Sequence, residues 1–240
     1  MSTLQAIREG LFLAEGPNVD FFGFPYPTRM VVAQLAGAGG LWVWSPIALD
    51  DALKAEVDAL GPVRYLVSPN KIHHLSLSEW HAAYPEAKIC GLPEIVAKRE
   101  DLQFDIVLAD APPREWLPDL DQVVFHGSLA LEEVVFFHRP SRTVILADLI
   151  ENFEQEFLEA NWKGWQARLA HFAGITAPEG MAPLDFRISF LRRKPAREAF
   201  AKLLAWDPER VIMAHGAWVA SEGRAFLEHS FRWLVPEASD

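Results

Sequence analysis

Apolar and polar positions along this chain fall into short runs separated by Gly, Pro, Asp and Asn. Runs at Leu11–Ala14, Met30–Leu35, Leu41–Trp44, Val63–Val67, Lys88–Cys90, Gln122–Phe125, Glu133–Phe137, Thr143–Ala147 and Arg210–Ala214 predict strands, each short and closed by a turn former. Gly37, Gly39 and Gly40 predict a hairpin turn between the second and third of these. Helical spacing marks Asp50–Leu60, Leu77–Tyr84, Pro93–Lys98, Phe153–Phe172, Pro195–Ala205 and Ser221–Leu234, and Ser76 followed by Glu79 predicts a capping box at the start of the second helix. The early strands follow one another through tight turns, whereas the later ones alternate with helices. That mixture predicts helices layered on sheets. Ala111-Pro112-Pro113 with Pro118 marks a connection between two half-domains of one domain covering 1–240, and residues 236–240 are expected to fray.

Composition narrows the function classes. A chain of 240 residues can bury roughly 70% of the surface its unfolded form exposes, so it needs no disulfide or structural metal to fold. Its 22 Lys and Arg stand against 33 Asp and Glu, a formal charge of −11, which argues against a nucleic-acid partner. The one basic cluster, Arg187, Arg192, Arg193, Lys194 and Arg197, reads as a solvated face or as an attractor for an anionic substrate. Cys90 is the sole cysteine and reads as a small buried apolar residue. The first ten residues carry both charge signs and lack the apolar core of a secretory signal, and no run reaches the roughly 20 apolar residues of a membrane span. A cytoplasmic protein without a membrane partner is expected.

Candidate chemistry lies at three strand endings. Val63–Val67 runs into Ser68-Pro69-Asn70-Lys71-Ile72-His73-His74, Thr143–Ala147 stops at Asp148, and Arg210–Ala214 stops at His215-Gly216. Sites in α/β proteins gather at the carboxyl ends of strands. If these strands are parallel neighbours, the rings of His73, His74 and His215 and the Asp148 carboxylate converge, a donor mixture suited to zinc, iron or manganese. His126, before Gly127-Ser128, is a turn residue or a further ligand; His138 reads as a hairpin tip, and His81, His171 and His229 as helix-face residues. Phe21-Phe22-Gly23-Phe24-Pro25-Tyr26-Pro27 is too broken for a regular strand and reads as core packing or as a flap over the site. The stripe Phe153, Phe157, Trp162, Trp165, Leu169 and Phe172 reads as core, a pocket wall or the seam of a homodimer. Neither a phosphate-binding loop nor a G-x-S-x-G nucleophile elbow is present.

With a hairpin first, a ligand loop after a strand, Leu-Ala-Asp148 and then Met-Ala-His215-Gly216, the chain resembles the metallo-β-lactamase superfamily over roughly residues 8 to 218. Ser68-Pro-Asn-Lys-Ile-His-His-Leu, with His138-Arg-Pro-Ser-Arg-Thr before Asp148, resembles the branch known as domain of unknown function 4336. The resemblance implies a four-layer αββα fold. In that superfamily the first ligand loop reads H-x-H-x-D-H; here Pro69 and Lys71 stand at the two leading histidines, His73 at the Asp and His74 at the last His. Leu129 falls where a further first-site histidine is expected. The first metal site is therefore expected to be lost and the second kept as His73, His74, Asp148 and His215, holding one zinc or iron ion. Lys71 is expected either to occupy the missing cation's volume beside Asp148, as a catalytic group, or to point to water.

The resemblance implies a metal-dependent hydrolase acting on the carbonyl of an ester, thioester or lactone, a small-molecule substrate, with Asp148 as general base. Two rivals stand beside it. One is a non-catalytic, metal-free ligand-binding or scaffold protein on the same fold, and the other a mononuclear iron oxidoreductase.

Overall fold

The computed structural model describes residues 3–235. Its strands are β1 (Gln5–Arg8), β2 (Leu11–Phe21), β3 (Phe24–Leu35), β4 (Gly40–Trp44), β5 (Val63–Ser68), β6 (Lys88–Gly91), β7 (Ile106–Val107), β8 (Leu120–Phe125), β9 (Glu133–His138), β10 (Thr143–Leu146) and β11 (Arg210–Met213). Its helices are α1 (Asp51–Leu60), α2 (Leu77–Ala83), α3 (Pro93–Lys98), α4 (Gln155–Asn161), α5 (Gly164–Ala173), α6 (Leu184–Ser189), α7 (Arg193–Ala205) and α8 (Gly223–Ser230). Strands β1 to β7 make one sheet in chain order, antiparallel through β4 and parallel from β4 onward. The second sheet has the order β11-β10-β9-β8, and only its β10–β11 pair is parallel. The chain passes from one sheet to the other between Val107 and Leu120, across the proline-rich segment.

Both sheets are covered on both faces, which explains why their strands read as continuous apolar runs. Between the sheets lie Trp42 and Trp44 from β4, Tyr65 and Val67 from β5, Val134 and Phe136 from β9, Ile145 from β10 and Ile212 from β11. Trp42 meets Phe136 edge to face, with ring centroids 4.9 Å apart. The alternate positions face outward: Leu41, Val43 and Leu66 pack on Leu53 and Val57 of α1 and on Leu77 and Trp80 of α2. On the other side Val135, Phe137, Val144 and Leu146 pack on Phe186, Ala199, Phe200, Leu203 and Leu227 of α6, α7 and α8. The result is the expected αββα order.

Three local expectations need correction. Ser76 makes no side-chain cap, and Glu79 instead accepts a hydrogen bond from the Leu49 amide at 3.2 Å; side-chain caps occur at α1, where Asp50 accepts from the Leu53 amide at 2.7 Å, and at α5, where Gln166 accepts from the Lys163 amide at 2.7 Å. The stretch 153–172 is two helices, because Trp162 and Lys163 turn extended. There the Trp162 indole donates to the Pro25 carbonyl at 2.7 Å, anchoring the break against the β2–β3 hairpin. That break buries Phe153 and Trp162 but turns Trp165, Leu169 and Phe172 outward. The third concerns 21–27, which is regular hairpin: Phe21 pairs with Phe24 across a turn at Phe22-Gly23 in which both φ are positive. Pro25 and Pro27 are tolerated because β4 pairs with β3 only from Val31 onward, leaving their outer edge open.

Candidate metal centre

Two pairs of parallel strands, one pair in each sheet, deliver the site. β5 leads into the 69–76 loop, β10 into Asp148, β11 into His215, and β4 into Ser45. The loop is shaped by its own polar side chains. Asn70 Oδ1 accepts from the Ile72 and His73 amides at 3.0 and 3.2 Å, and the Ser68 hydroxyl stands 2.7 Å from both the Asn70 and His73 carbonyls. This tight turn aims His73 inward.

His73 Nε2 lies 3.2 Å from Asp148 Oδ2, and His215 Nε2 lies 3.4 Å from Asp148 Oδ1. The opposite ring nitrogens are committed: His215 Nδ1 donates to the Pro27 carbonyl at 2.7 Å, and His73 Nδ1 is 2.8 Å from Ser45 Oγ. A carbonyl only accepts, so a neutral His215 carries its proton on Nδ1 and turns the Nε2 lone pair toward a carboxylate oxygen. Lone pair against anion is repulsive unless a cation or a proton lies between them. Ligand atoms of the three residues all fall within 4.8 Å of one another, and among the described residues no other group of three or more His, Cys, Asp or Glu does so. Two ligands each about 2.0–2.2 Å from a tetrahedral ion stand roughly 3.3–3.6 Å apart, so these separations and this N, N, O donor set fit one transition-metal ion with positions left open.

Asp148 is itself clamped. Asn70 Nδ2 donates to Asp148 Oδ2 at 2.6 Å and to Glu133 Oε2 at 3.1 Å. Glu133, fully buried at the head of β9, accepts from the Ala147 and Asp148 amides at 2.7 and 2.8 Å. Burial penalises the Asp148 carboxylate, yet His73 and His215 override that and hold it well below the usual range. Burial also opposes charge on His73, and the Asp148 carboxylate raises it in spite of that. Burial and the nearby Asp148 charge push Glu133 up to about 7. The same two causes push Glu151, which lines the adjoining cavity, well above the usual range. The Tyr26 hydroxyl is 3.5 Å from Glu151 Oε2, and its ring meets His215 edge to face.

The sequence placed His74 in this cluster and Lys71 beside Asp148; the structure moves both. His74 lies on the wall of the cavity beside the cluster rather than within the cluster, its Nδ1 3.1 Å from Arg99 Nη1. There burial and the charges of Lys98 and Arg99 lower its pKa to about 4. Lys71 Nζ pairs with Glu94 at 3.3 Å, and the Asn70 amide takes the place beside Asp148 that an ammonium was expected to fill. His126 lies between Glu132 and Asp110, apart from the cluster. Sequence reading missed Ser45, Asn70, Glu133, Glu151 and Tyr26. One signal was available: an acidic residue heading an apolar strand, Glu133, is costly to bury unless donors surround it.

A cavity of about 280 Å³ opens beside the cluster, between the β2–β3 hairpin and the 69–76 loop. Val19, Phe21, Tyr26, Ile47, Ile72 and Leu75 give it apolar walls, and Asp148, His73 and His215 lie at its floor. The hairpin is thus both core and flap. None of Arg187, Arg192, Arg193, Lys194 and Arg197 lines the cavity.

His215 is positioned by the strap at Asn152, whose amide donates to the His215 carbonyl at 3.2 Å and whose carbonyl accepts from Ala217 at 2.8 Å. Gly216 between them has φ +87°, and a Cβ there would collide with the Asn152 carbonyl. Gly216→Ala is expected to destabilise the protein by about 1–3 kcal/mol from backbone strain alone, read from chemical denaturation, and to loosen His215 with it.

Comparison with known proteins agrees with this architecture. A metallo-β-lactamase from Pontibacter korlensis superimposes with a TM-score of 0.62 at 10% identity, covering 96% of this chain and 97% of its own. One from Hirschia baltica gives 0.61 at 13% identity, covering 98% of each. The metallo-β-lactamase FIM-1 from Pseudomonas aeruginosa, solved in a mono-zinc form, gives 0.56 at 14% identity, covering 97% and 94%. No curated protein matches the chain. At such identities the likeness establishes the fold alone. The family model described as "Domain of unknown function (DUF4336)" matches residues 19–172, a span that includes Ser45, Asn70, His73, Glu133 and Asp148. With the greater part of its length matched by that model, and folded throughout as a metallo-β-lactamase-like sandwich, the chain belongs to the DUF4336 family.

Proposed function

We propose that this protein is a mononuclear metal-dependent hydrolase, with one zinc or iron ion held by His73, Asp148 and His215 and an ester, thioester or lactone substrate in the adjoining cavity. One observation carries the reading. Two imidazoles present Nε2 to the two oxygens of a single buried carboxylate while their Nδ1 atoms are engaged elsewhere. Such outer partners orient metal-ligating histidines. The mono-zinc form of FIM-1 supports a one-ion site on this fold.

When bound, such an ion supplies Lewis acidity and a water acidified toward neutral pH. The chain's own residues do the rest. Ser45 and the Pro27 carbonyl fix the two rings, and Asn70 with Glu133 fixes Asp148. The apolar walls exclude bulk water and take up the acyl portion of the substrate. Asp148, with its strongly depressed pKa, is suited to be a ligand and is a poor base, so the base role expected of it is not assigned to it, and proton delivery to the leaving group is assigned to Glu151. The Glu151 carboxyl, pushed well above the usual carboxylate range by burial and the nearby Asp148 charge, borders the cavity, positioned to hand a proton to a departing alkoxide or thiolate.

Protein purified without added metal is expected to contain about one equivalent of zinc or iron. It should hydrolyse members of a panel of esters, thioesters and lactones, lose that activity on chelation and regain it with the metal. Protein that takes up no transition metal, with His73, Asp148 and His215 joined by hydrogen bonds alone, would sink this reading and favour the metal-free ligand-binding one. A visible absorption band from bound iron, without hydrolysis, would favour the oxidoreductase.

A further inference from the structure

Most apolar side chains of this protein are buried, which makes one outer face conspicuous. On α5 the exposed residues Trp165, Leu169 and Phe172 follow one another at four and three positions, one stripe of a helix. On α6 and the turn after it Leu184, Ile188 and Leu191 repeat that spacing, again exposed. Phe22, at the tip of the β2–β3 hairpin, is 88% exposed and Phe172 81%. The three pieces are joined: Gln166 of α5 donates to the Gly23 carbonyl at 2.9 Å, Trp165 meets Phe24 edge to face, and Arg187 of α6 donates to the Ala173 carbonyl at the end of α5 at 2.6 Å. An apolar face of seven large side chains marks an interaction surface.

Charge points to the occupant. Residues 163–197 contain seven of the 22 Lys and Arg but only two of the 33 Asp and Glu, so a cationic segment stands on a strongly anionic protein. Arg168 lies exposed within the α5 stripe, and Arg192, Arg193 and Lys194 are exposed directly after Leu191. Trp, Phe and Leu flanked by Lys and Arg on short helices, with no helix among the described residues long and apolar enough to cross a membrane, is the pattern of elements that lie in a bilayer interface. The acidic remainder does not prevent this, because repulsion is screened beyond about 8 Å at physiological ionic strength. A two-fold pairing of this face with a second copy would instead set its cations against themselves.

We infer that the hairpin tip, α5 and α6 dock this protein onto an anionic lipid surface, with Phe22, Trp165, Leu169, Phe172 and Ile188 entering the headgroup region and Arg168, Arg192 and Lys194 contacting lipid phosphates. The absence of a spanning segment led to the expectation of no membrane partner; the folded chain assembles the surface from residues scattered over the sequence. Phe21, next to the tip, lines the cavity, so docking would set the cavity mouth close to the lipid. The inference stands apart from the metal reading.

The test is flotation of the full-length protein with phosphatidylcholine vesicles, with and without phosphatidylglycerol, at physiological ionic strength. Binding is expected to vesicles containing phosphatidylglycerol, to weaken with added salt, and to fall roughly tenfold or more in Phe172→Ser/Ile188→Ser and in Arg168→Glu/Arg192→Glu. All four positions are exposed, and unchanged melting of both variants would show that the fold is intact. No binding to anionic vesicles, or binding that both variants retain, would overturn the inference. So would a dimer in light scattering that Phe172→Ser/Ile188→Ser converts to monomer, an outcome that gives the face to a second copy.

Discussion

Replacing His215 by alanine is expected to lower the affinity for zinc or iron more than about 100-fold, since loss of a mere outer partner of a metal ligand already costs about 10–100-fold. His73→Ala should behave alike. Each ring supplies one of only two nitrogens in the cluster, and neither has a spare histidine nearby: His74 faces Arg99, and His126 faces Glu132. The informative controls are therefore His74→Ala and Lys71→Ala. The sequence alone makes His74 a ligand like His73 and Lys71 a cation beside Asp148, whereas the geometry predicts that neither substitution changes affinity more than a few-fold. Competition titration against a chromophoric chelator distinguishes these outcomes. A His74→Ala variant as impaired as His215→Ala, or a His215→Ala variant of undiminished affinity, would refute the three-residue site.

That contrast shows what the sequence disclosed and what it withheld. Thr143–Ala147 and Arg210–Ala214 were legible as strands because both faces of each are buried and every position but Arg210 is apolar or β-branched. Their polar terminators, Asp148 and His215, were legible for the same reason: a ligand-type residue ending a core strand has few other places to be. β1 and β7 were not legible. Gln5–Arg8 has no apolar pattern of its own and is a strand only because β2 pairs with it, and Ile106–Val107 is too short to carry a period. α6 was hidden because Leu184, Ile188 and Leu191 lie on its exposed side, so its pattern does not report a buried face. The choice between His73 and His74 was illegible in principle. Adjacent loop residues point apart according to the turn, and the turn depends on Asn70 Oδ1 accepting from the two amides that follow. Asn70 itself acquires its second partner, Glu133, from a strand 63 positions away.

Glu133→Ala is the substitution from which the largest loss of stability is expected. The carboxylate is the acceptor for three buried donors: the Ala147 amide, the Asp148 amide and the Asn70 side chain. Removing it strands the two backbone amides and leaves Asn70 Nδ2 with Asp148 alone, so at about 1–3 kcal/mol for each group left without a partner a loss of roughly 2–6 kcal/mol is expected. Glu133→Gln keeps the shape and one carbonyl oxygen but turns an NH2 group toward donors, and should lie between the wild type and alanine. Glu133 touches no metal ligand side chain directly, yet it holds the backbone at Asp148 and the amide that grips Oδ2, so both variants should also bind metal more weakly. Chemical denaturation of the metal-free protein isolates the first effect and metal titration the second. A Glu133→Ala protein as stable as the wild type would mean that water or a rearranged Asn70 satisfies those donors, and that Asp148 does not depend on the brace inferred from its hydrogen bonds. Such an outcome would leave the three ligands in place but remove the reason for their rigidity. The strand-end geometry would then have to be maintained by the sheet pairing of β10 with β9 and β11 alone.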